Sequence, residues 1–506
     1  MAPRLVTLGA AALVCALILA PLGAVIWRAE GLGRLGPADW AAVRFTLVQA
    51  VLSSALSVLV AVPVARALAR RRFPGRGVLI TLLGAPFILP AIVAVLGLLT
   101  VFGQNGLVST ALVAVGLPPL QIYGLGGVVL AHVFFNLPLA TRLILQGWLA
   151  IPSERFRLAG ALGLSPWTVF RLLELPMLRR VLPGIASVIF VICLSSFAVA
   201  LTLGGGPKAT TVELAIYQAF RFDFDLGKAA LLALVQLGLT AAAAGVALWV
   251  GTTAGFGAGL DRPRRRWDAD AGGQRLLDAV WIALAAAFLI VPLAAIVLGG
   301  LGSLPNLPPA VWTAAGHSLQ VAAIATTLCL MLALPLARSA SGEGVSLLGL
   351  ALSPLVLGAG LFLLVQPFAS PFQLALPVTA LVNAVISLPF AVRALRPALE
   401  TAEADYGRLA DMLGLQGWAR WRWVILPRIR RPLGFAAGLT AALSIGDLGV
   451  IALFADPERA TLPLQMYRLM GAYRMDQAAG AALLLLTLSL SVFWLLDRGG
   501  RVNAEV

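Results

Sequence analysis

The chain has 506 residues, of which 60% are hydrophobic and 12% are charged, and its mean hydropathy is +0.95. Soluble proteins are near half apolar and a quarter charged, so this composition excludes a soluble globular protein and indicates an integral membrane protein. A net charge of +15 would also suit a nucleic-acid-binding protein, but the placement of the arginines favours a membrane topology instead.

Hydrophobic segments of about 20 residues, long enough to cross a bilayer, occur twelve times. With the N-terminus in the cytoplasm, most of the 37 lysine and arginine residues fall on the inner side, as the positive-inside rule requires. We therefore expect a multi-pass membrane protein in contact with lipid, with both termini cytoplasmic and no nucleic-acid partner. The segments lie near 5–27, 46–69, 78–102, 123–148, 182–203, 229–251, 276–300, 317–337, 345–366, 373–395, 433–454 and 478–496.

Residues 153–176 recur at 404–427, a shift of 251 positions without a gap, and ten of the paired positions are identical. Other pairs, such as Leu137-Pro138 with Leu388-Pro389, extend the duplication. The chain is therefore predicted to be an all-α membrane protein of two homologous six-helix halves, which are parallel repeats because each has an even number of spans. The halves are residues 1–258 and 276–506, with a cytoplasmic linker at 259–275.

The repeated segments are predicted to lie in cytoplasmic loops at 150–180 and 400–431. In each copy we expect a short amphipathic helix that lies along the membrane surface and ends at a glycine. We expect the next helix to begin at a proline. Such a helix could bind lipid headgroups or dock a cytoplasmic partner, and the duplication favours docking. The glycines are Gly163 and Gly414, and the prolines are Pro176 and Pro427.

This pattern is similar to the E-A-A-x-x-x-G-x(9)-I-x-L-P loop of ABC-importer permeases, whose short helix fits a cleft in the ATP-binding subunit. Both glycine-to-proline spacings fit, but Arg157-Leu158 and Arg408-Leu409 replace the Glu-Ala of the family. The chain has no G-x-x-x-x-G-K-[ST] phosphate loop and is not expected to be an enzyme. The resemblance implies an ATPase-coupling role for Arg157, Ala159, Gly163, Leu164, Pro176, Arg408, Ala410, Gly414, Leu415 and Pro427.

Four further segments resemble the fused permease of bacterial thiamine ABC importers, and the resemblance covers essentially the whole chain. It implies a type I importer fold in the bacterial inner membrane, thiamine and its phosphate esters as cargo, a periplasmic substrate-binding protein outside and a homodimeric ATP-binding subunit inside. Ferric-iron permeases share the fusion and remain an alternative, and a twelve-helix secondary transporter is a more distant one. The segments are RRRFPGR at 70–76, AHVFFNLP at 131–138, LGGGPKATTVELAIYQ at 203–218 and LSIGDLG at 443–449.

Asp447 is the one carboxylate predicted to lie deep within a span, where a charge costs roughly 2.5 to 3.5 kcal/mol and should face the bundle interior or water. It could line the translocation pathway and attract a cation, or it could hydrogen-bond neighbouring helices. The matching position in the first half is Ser196, so a charge there would be asymmetric.

The remaining polar residues predict no catalytic, metal or cofactor site. His132 and His317 have no metal-ligand companion at helical spacing and are expected to be packing residues. The outward segments near 204–227 and 455–477 carry mixed charges, Glu213 among them, and would suit docking of a soluble protein or simply be solvated loops.

Overall fold

The computed structural model describes residues 2–29, 35–84, 88–251, 272–454 and 458–501, and within these ranges the chain forms helices and helical turns and no β-strand. The predicted all-α fold is confirmed. Residues 259–271 of the predicted linker lie outside the described ranges. Residues 272–275, also placed in the linker, already belong to the first helix of the second half, because Gly272–Leu301 is one continuous helix.

Twelve α-helices are described in the first half, of which α8 is a single turn of four residues. They are α1 (Ala2–Ala29), α2 (Pro37–Arg70), α3 (Arg76–Leu82), α4 (Ala91–Phe102), α5 (Leu107–Ala114), α6 (Leu125–Ala150), α7 (Ser153–Ala161), α8 (Pro166–Val169), α9 (Leu175–Leu194), α10 (Phe197–Leu203), α11 (Val212–Arg221) and α12 (Leu226–Val250).

The second half repeats this order with fewer breaks. Its helices are α13 (Gly272–Leu301), α14 (Pro309–Leu336), α15 (Ala340–Leu347), α16 (Pro354–Val365), α17 (Ala375–Met412), α18 (Gly417–Arg420), α19 (Leu426–Ile445), α20 (Gly449–Leu453), α21 (Leu462–Gly471) and α22 (Met475–Arg501).

Within the described ranges, eleven helical segments are long and apolar enough to cross a membrane. The twelfth predicted span, 345–366, is not one long helix: its apolar part is α16, whose 12 residues extend about 18 Å at 1.5 Å per residue. The helix starts only at Pro354 because Ser353, which precedes the proline, is held in an extended conformation. The equivalent α4 is also 12 residues long and follows Pro90, so the third span of both halves is broken.

The first helix of each half packs mainly against the other half. α1 lies against α16 and α14 of the second half and against α12, whereas α13 lies against α4 and α2 of the first half and against α22. The two crossings use matching glycines: a Cβ on Gly97 would lie 2.7 Å from the Pro292 carbonyl oxygen, and one on Gly360 would lie 2.5 Å from that of Pro21. The halves of the sequence are therefore interleaved in space.

A buried ion cluster also joins the halves. Asp278, near the start of α13, accepts hydrogen bonds from Arg70 at 2.8 Å and Arg71 at 2.7 Å, at the end of α2. The Arg70 and Asp278 side chains are almost completely buried. Burying charges is tolerated only when they are paired, so this cluster fixes the end of α2 against α13.

Candidate functional site

The helix ends in the repeated loops are built alike in both halves. Gly163 and Gly414 have φ angles of +62° and +65°, in the left-handed region that favours glycine. The next residue then turns back to bond the helix: Leu164 N donates to the Ala159 carbonyl at 3.1 Å, and Leu415 N donates to the Ala410 carbonyl at 2.9 Å. This is a Schellman cap, and the prediction that these glycines end the helices is confirmed.

The two loops differ in how they enter this cap. In the first half α6 ends and α7 begins as a separate nine-residue helix, because Ile151 is extended in front of Pro152. The equivalent of Pro152 is Glu403, so in the second half the segment is the end of α17, a continuous helix of 38 residues. The prediction of a separate surface helix is therefore wrong for the second copy.

The prediction that Pro176 and Pro427 open the next helices is confirmed, because each is the second residue of its helix, α9 or α19. Both lie inside continuous helical segments that begin at Pro166 and at Gly417. Each proline follows a π-helical turn, Phe170–Glu174 or Trp421–Ile425. A proline inside a helix lacks an N–H and clashes with the carbonyl four residues earlier, and the wider π turn accommodates this defect.

Apolar side chains are exposed at equivalent positions of both loops. Leu158 is 61% exposed and its counterpart Leu409 is 53% exposed, and the pairs Leu162 with Leu413 and Trp167 with Trp418 are exposed as well. Arg157 lies beside Leu158 and forms an ion pair with Glu154 at 2.9 Å, on the surface. We call these paired surfaces of exposed leucine, tryptophan and arginine the coupling knobs.

Each coupling knob is connected to the helical bundle through an arginine and an aromatic ring in the π turn. The Arg66 guanidinium lies 5.0 Å from the centre of the Phe170 ring, and the Arg338 guanidinium lies 5.5 Å from that of Trp421. Arg66 also donates to Glu174 at 2.7 Å. These contacts join the two π turns to the last part of α2 and to the residues that follow α14.

Between the halves lies a central cavity of about 320 Å³. Its walls come from α4, α6, α11 and the α9–α10 break of the first half, and from α16 and the α19–α20 break of the second. Among the described residues that line it, none is a lysine or an arginine. The polar side chains lining it are His132, Asn136, Ser195, Ser196, Glu213 and Asp447.

Ser196 and Asp447 are brought together in this cavity, each at a break in a helix. Ser196 lies between α9 and α10 and hydrogen-bonds His132 Nε2 at 2.6 Å. His132 Nδ1 in turn contacts the Ser53 hydroxyl at 3.2 Å. His132 is therefore a bonded packing residue, as expected, that also lines the cavity.

Asp447 occupies the equivalent break between α19 and α20. Its Oδ1 accepts a hydrogen bond from Gly449 N at 3.2 Å, while its buried Oδ2 has no hydrogen-bond partner in the described part of the chain. Asn383, the counterpart of His132, interacts with the carboxyl group. Asp447 and Asn383 therefore lie together in the second half as Ser196 and His132 do in the first. The second half provides a carboxyl group where the first provides a hydroxyl.

Glu213, on α11, is a cavity residue that sequence reasoning placed in an exposed outward segment. It is only 1% exposed, and its carboxyl group bonds Gln236 at 3.5 Å and Ser353 of the second half. Its burial could have been predicted from its position within the apolar run 212–220, because a solvated loop would not contain such a run. Together with Asp447 it gives the cavity one carboxyl group from each half.

Two interleaved halves, a capped loop repeated in each half and a cavity between the halves that carries two carboxyl groups define a membrane permease with the type I ABC-importer fold. Residues 338–498 match the family described as "Binding-protein-dependent transport system inner membrane component".

Relatives extend the match over nearly the whole chain. The "Thiamine transport system permease protein ThiP" of Brucella abortus (strain 2308) is 42% identical over 92% of this chain and 89% of its own length. The proteins of the same name from Salmonella typhimurium and Escherichia coli (strain K12) are each 40% identical, over 98% and 91% of this chain and 95% and 89% of their own lengths. The chain belongs to this family of permeases, which are inner-membrane components of binding-protein-dependent importers.

Proposed function

We propose that this permease moves thiamine and its phosphate esters, and that the cargo passes between the halves through the central cavity. Thiamine carries a cationic thiazolium ring. A cavity with a carboxyl group from each half and no lysine or arginine among its described lining residues attracts a cation. Its volume of about 320 Å³ is at the lower end of the range typical of small-molecule sites.

We further propose that the coupling knobs bind a homodimeric ATP-binding subunit, one knob to each copy, and that a periplasmic substrate-binding protein delivers cargo at the opposite face. Both termini would then lie in the cytoplasm. Exposed leucines and tryptophans at matching positions support protein docking, since interface cores are rich in such side chains.

In this proposal the residues of the repeated loops have distinct roles. Ala159, Gly163 and Leu164, with Ala410, Gly414 and Leu415, form the caps that shape the knobs. Arg157 and Arg408 face the ATPase and call for an acidic surface there. Pro176 and Pro427 hold the π turns through which the knobs move the helices around Ser196 and Asp447, which alternately exposes the cavity to either side.

The proposal is tested by reconstituting the permease in liposomes with its ATP-binding subunit and binding protein and measuring uptake of labelled thiamine. Uptake should require ATP and should not be reduced by excess ferric ion. Uptake driven by an ion gradient without the partner subunits would show a secondary transporter instead, and inhibition by ferric ion would indicate iron as cargo.

The role of the cavity is tested by Asp447→Asn, which keeps the shape of the side chain and removes its charge. Loss of one ionic attraction should lower uptake at low thiamine concentration by roughly tenfold. Asp476→Asn, at an exposed acid in the first turn of α22, is the matched control and should leave uptake unchanged. Normal uptake by the Asp447 variant would assign this carboxyl group to helix packing.

A further inference from the structure

A second, smaller cavity lies beyond the central one. It has a volume of about 200 Å³, and its lining includes Gly205, Leu214, Tyr217, Gln218, Phe222 and Tyr467. Along the broken fifth span, residues 195–199 line the central cavity and residues 200–206 contribute to this one. The second cavity is therefore farther from the coupling knobs, and we call it the outer cavity.

The outer cavity contains a tyrosine from each half at equivalent positions. Tyr217 on α11 and Tyr467 on α21 are related by a shift of 250 residues. Both side chains line the outer cavity, and burial raises the pKa of both phenols, so both are neutral at physiological pH. The pseudo-twofold arrangement thus places two aromatic rings around one space.

Aromatic contacts also form the wall between the two cavities. Phe197 lines the central cavity, and its ring meets the edge of the Tyr217 ring with centroids 5.3 Å apart. Tyr217 in turn meets Phe222 at 5.8 Å and 90°. Glu213 and Tyr217 lie one turn apart on α11, with Glu213 in the central cavity and Tyr217 in the outer one.

The chemistry of the outer cavity differs from that of the central one. Its described lining residues include no carboxylate and no basic side chain. Burial raises the pKa of Tyr217, and the charges of Arg221 and Arg468 lower it by a smaller amount. No group of three or more His, Cys, Asp or Glu side chains that could hold a metal ion occurs among the described residues. Two tyrosines and a phenylalanine instead suit a flat ring, which packs against aromatic faces and edges.

We infer that the outer cavity is a second binding site, which takes the planar heteroaromatic ring of the cargo before the cargo reaches the central cavity. Gln218 and Phe222 are exposed, so the site opens to the surface, while the Phe197–Tyr217 contact separates it from Glu213 and Asp447. This inference rests on the proposed function in taking thiamine, which contains such rings, as the cargo.

The test is equilibrium dialysis of labelled thiamine against the purified full-length permease in detergent. Tyr217→Leu and Tyr467→Leu should each weaken binding by roughly tenfold, since a leucine keeps apolar volume but removes the ring. Tyr217→Phe should restore most of the binding because it keeps the ring. Tyr473→Leu, at a tyrosine that is 91% exposed, is the matched control and should bind as the wild type does.

The possible failures are distinguishable. If both leucine variants bind thiamine like the wild type while Asp447→Asn binds it more weakly, the outer site is wrong and the central cavity alone holds the cargo. If the wild type binds no thiamine, the proposed cargo is wrong, and the inference of an outer site for that cargo is wrong as well. Melting curves of the leucine variants show whether weaker binding comes from the missing ring or from unfolding of the protein. If Tyr217→Phe binds thiamine as weakly as Tyr217→Leu, the inference is also overturned.

Discussion

At the scale of single residues, the charge of Glu213 is set by its surroundings. α11 is not among the eleven spanning segments, and burial raises the pKa of the Glu213 carboxyl group to about 7, while Ser353 acts in the opposite direction. The carboxyl group is therefore ionised mainly above neutral pH and protonated below it. Among the residues that line the same cavity, it shares the space with His132 and Asp447.

A dependence of uptake on pH follows. Between pH 8 and pH 6 the ionised fraction of Glu213 falls by roughly tenfold, so the initial rate of thiamine uptake at low concentration should fall in the same direction, by up to that factor. The measurement is the initial rate in liposomes at fixed ATP inside and varied pH outside. Glu213→Gln removes the titrating group and should show a much flatter profile, and an equally steep profile in that variant would assign the titration to another group.

At the scale of helices, the coupling knobs combine a fixed cap with exposed apolar side chains. Leu158→Glu together with Leu409→Glu should abolish co-purification of the ATP-binding subunit and ATP-driven uptake, because a charge is placed in the centre of the interface. Both residues are exposed, so the melting temperature of the isolated permease should not change.

The control for the knobs is Phe368→Glu, at a residue that is 89% exposed near the opposite end of α17 from Leu409. This variant should retain the ATP-binding subunit. If the double Leu→Glu variant also retains it, the knobs bind lipid headgroups rather than a protein.

The sequence was sufficient to predict the helical spans, the duplication and the capping glycines, because hydrophobic length and left-handed glycine turns are local properties. It could not show that Pro354 and Pro90 break the third spans, because a proline is compatible with either a kink or an end. The contacts of Glu213 with Gln236 and Ser353 join distant parts of the chain, so its burial was not predictable from spacing alone. Asp447 was predicted either to line the translocation pathway or to hydrogen-bond neighbouring helices, and its position beside Glu213 in one cavity depends on contacts between distant parts of the chain.

At the scale of the whole molecule, the two first helices cross between the halves at Gly97 and Gly360. Gly360→Leu or Gly97→Leu would force side chains against the backbone of Pro21 or Pro292 and should destabilise the permease by about 1–3 kcal/mol. The measurement is thermal unfolding in detergent. Gly238→Leu, in α12, has open space around the position and should have no such effect. Equal melting temperatures for all three variants would contradict the crossed packing.

The crossing of α1 also has a consequence for synthesis in the membrane. α1 leaves the ribosome before its packing partner α16, which begins only at Pro354, more than 300 residues later. At 5–20 residues per second, α1 waits for roughly 15 to 65 s in the bilayer before that partner exists. During this interval the part of α1 around Pro21, which Gly360 of α16 contacts in the finished protein, lacks that partner. α1 is thus inserted into the membrane early, but it reaches its final packing late. The packing of the first half can be completed only after the ribosome has translated α16 of the second half.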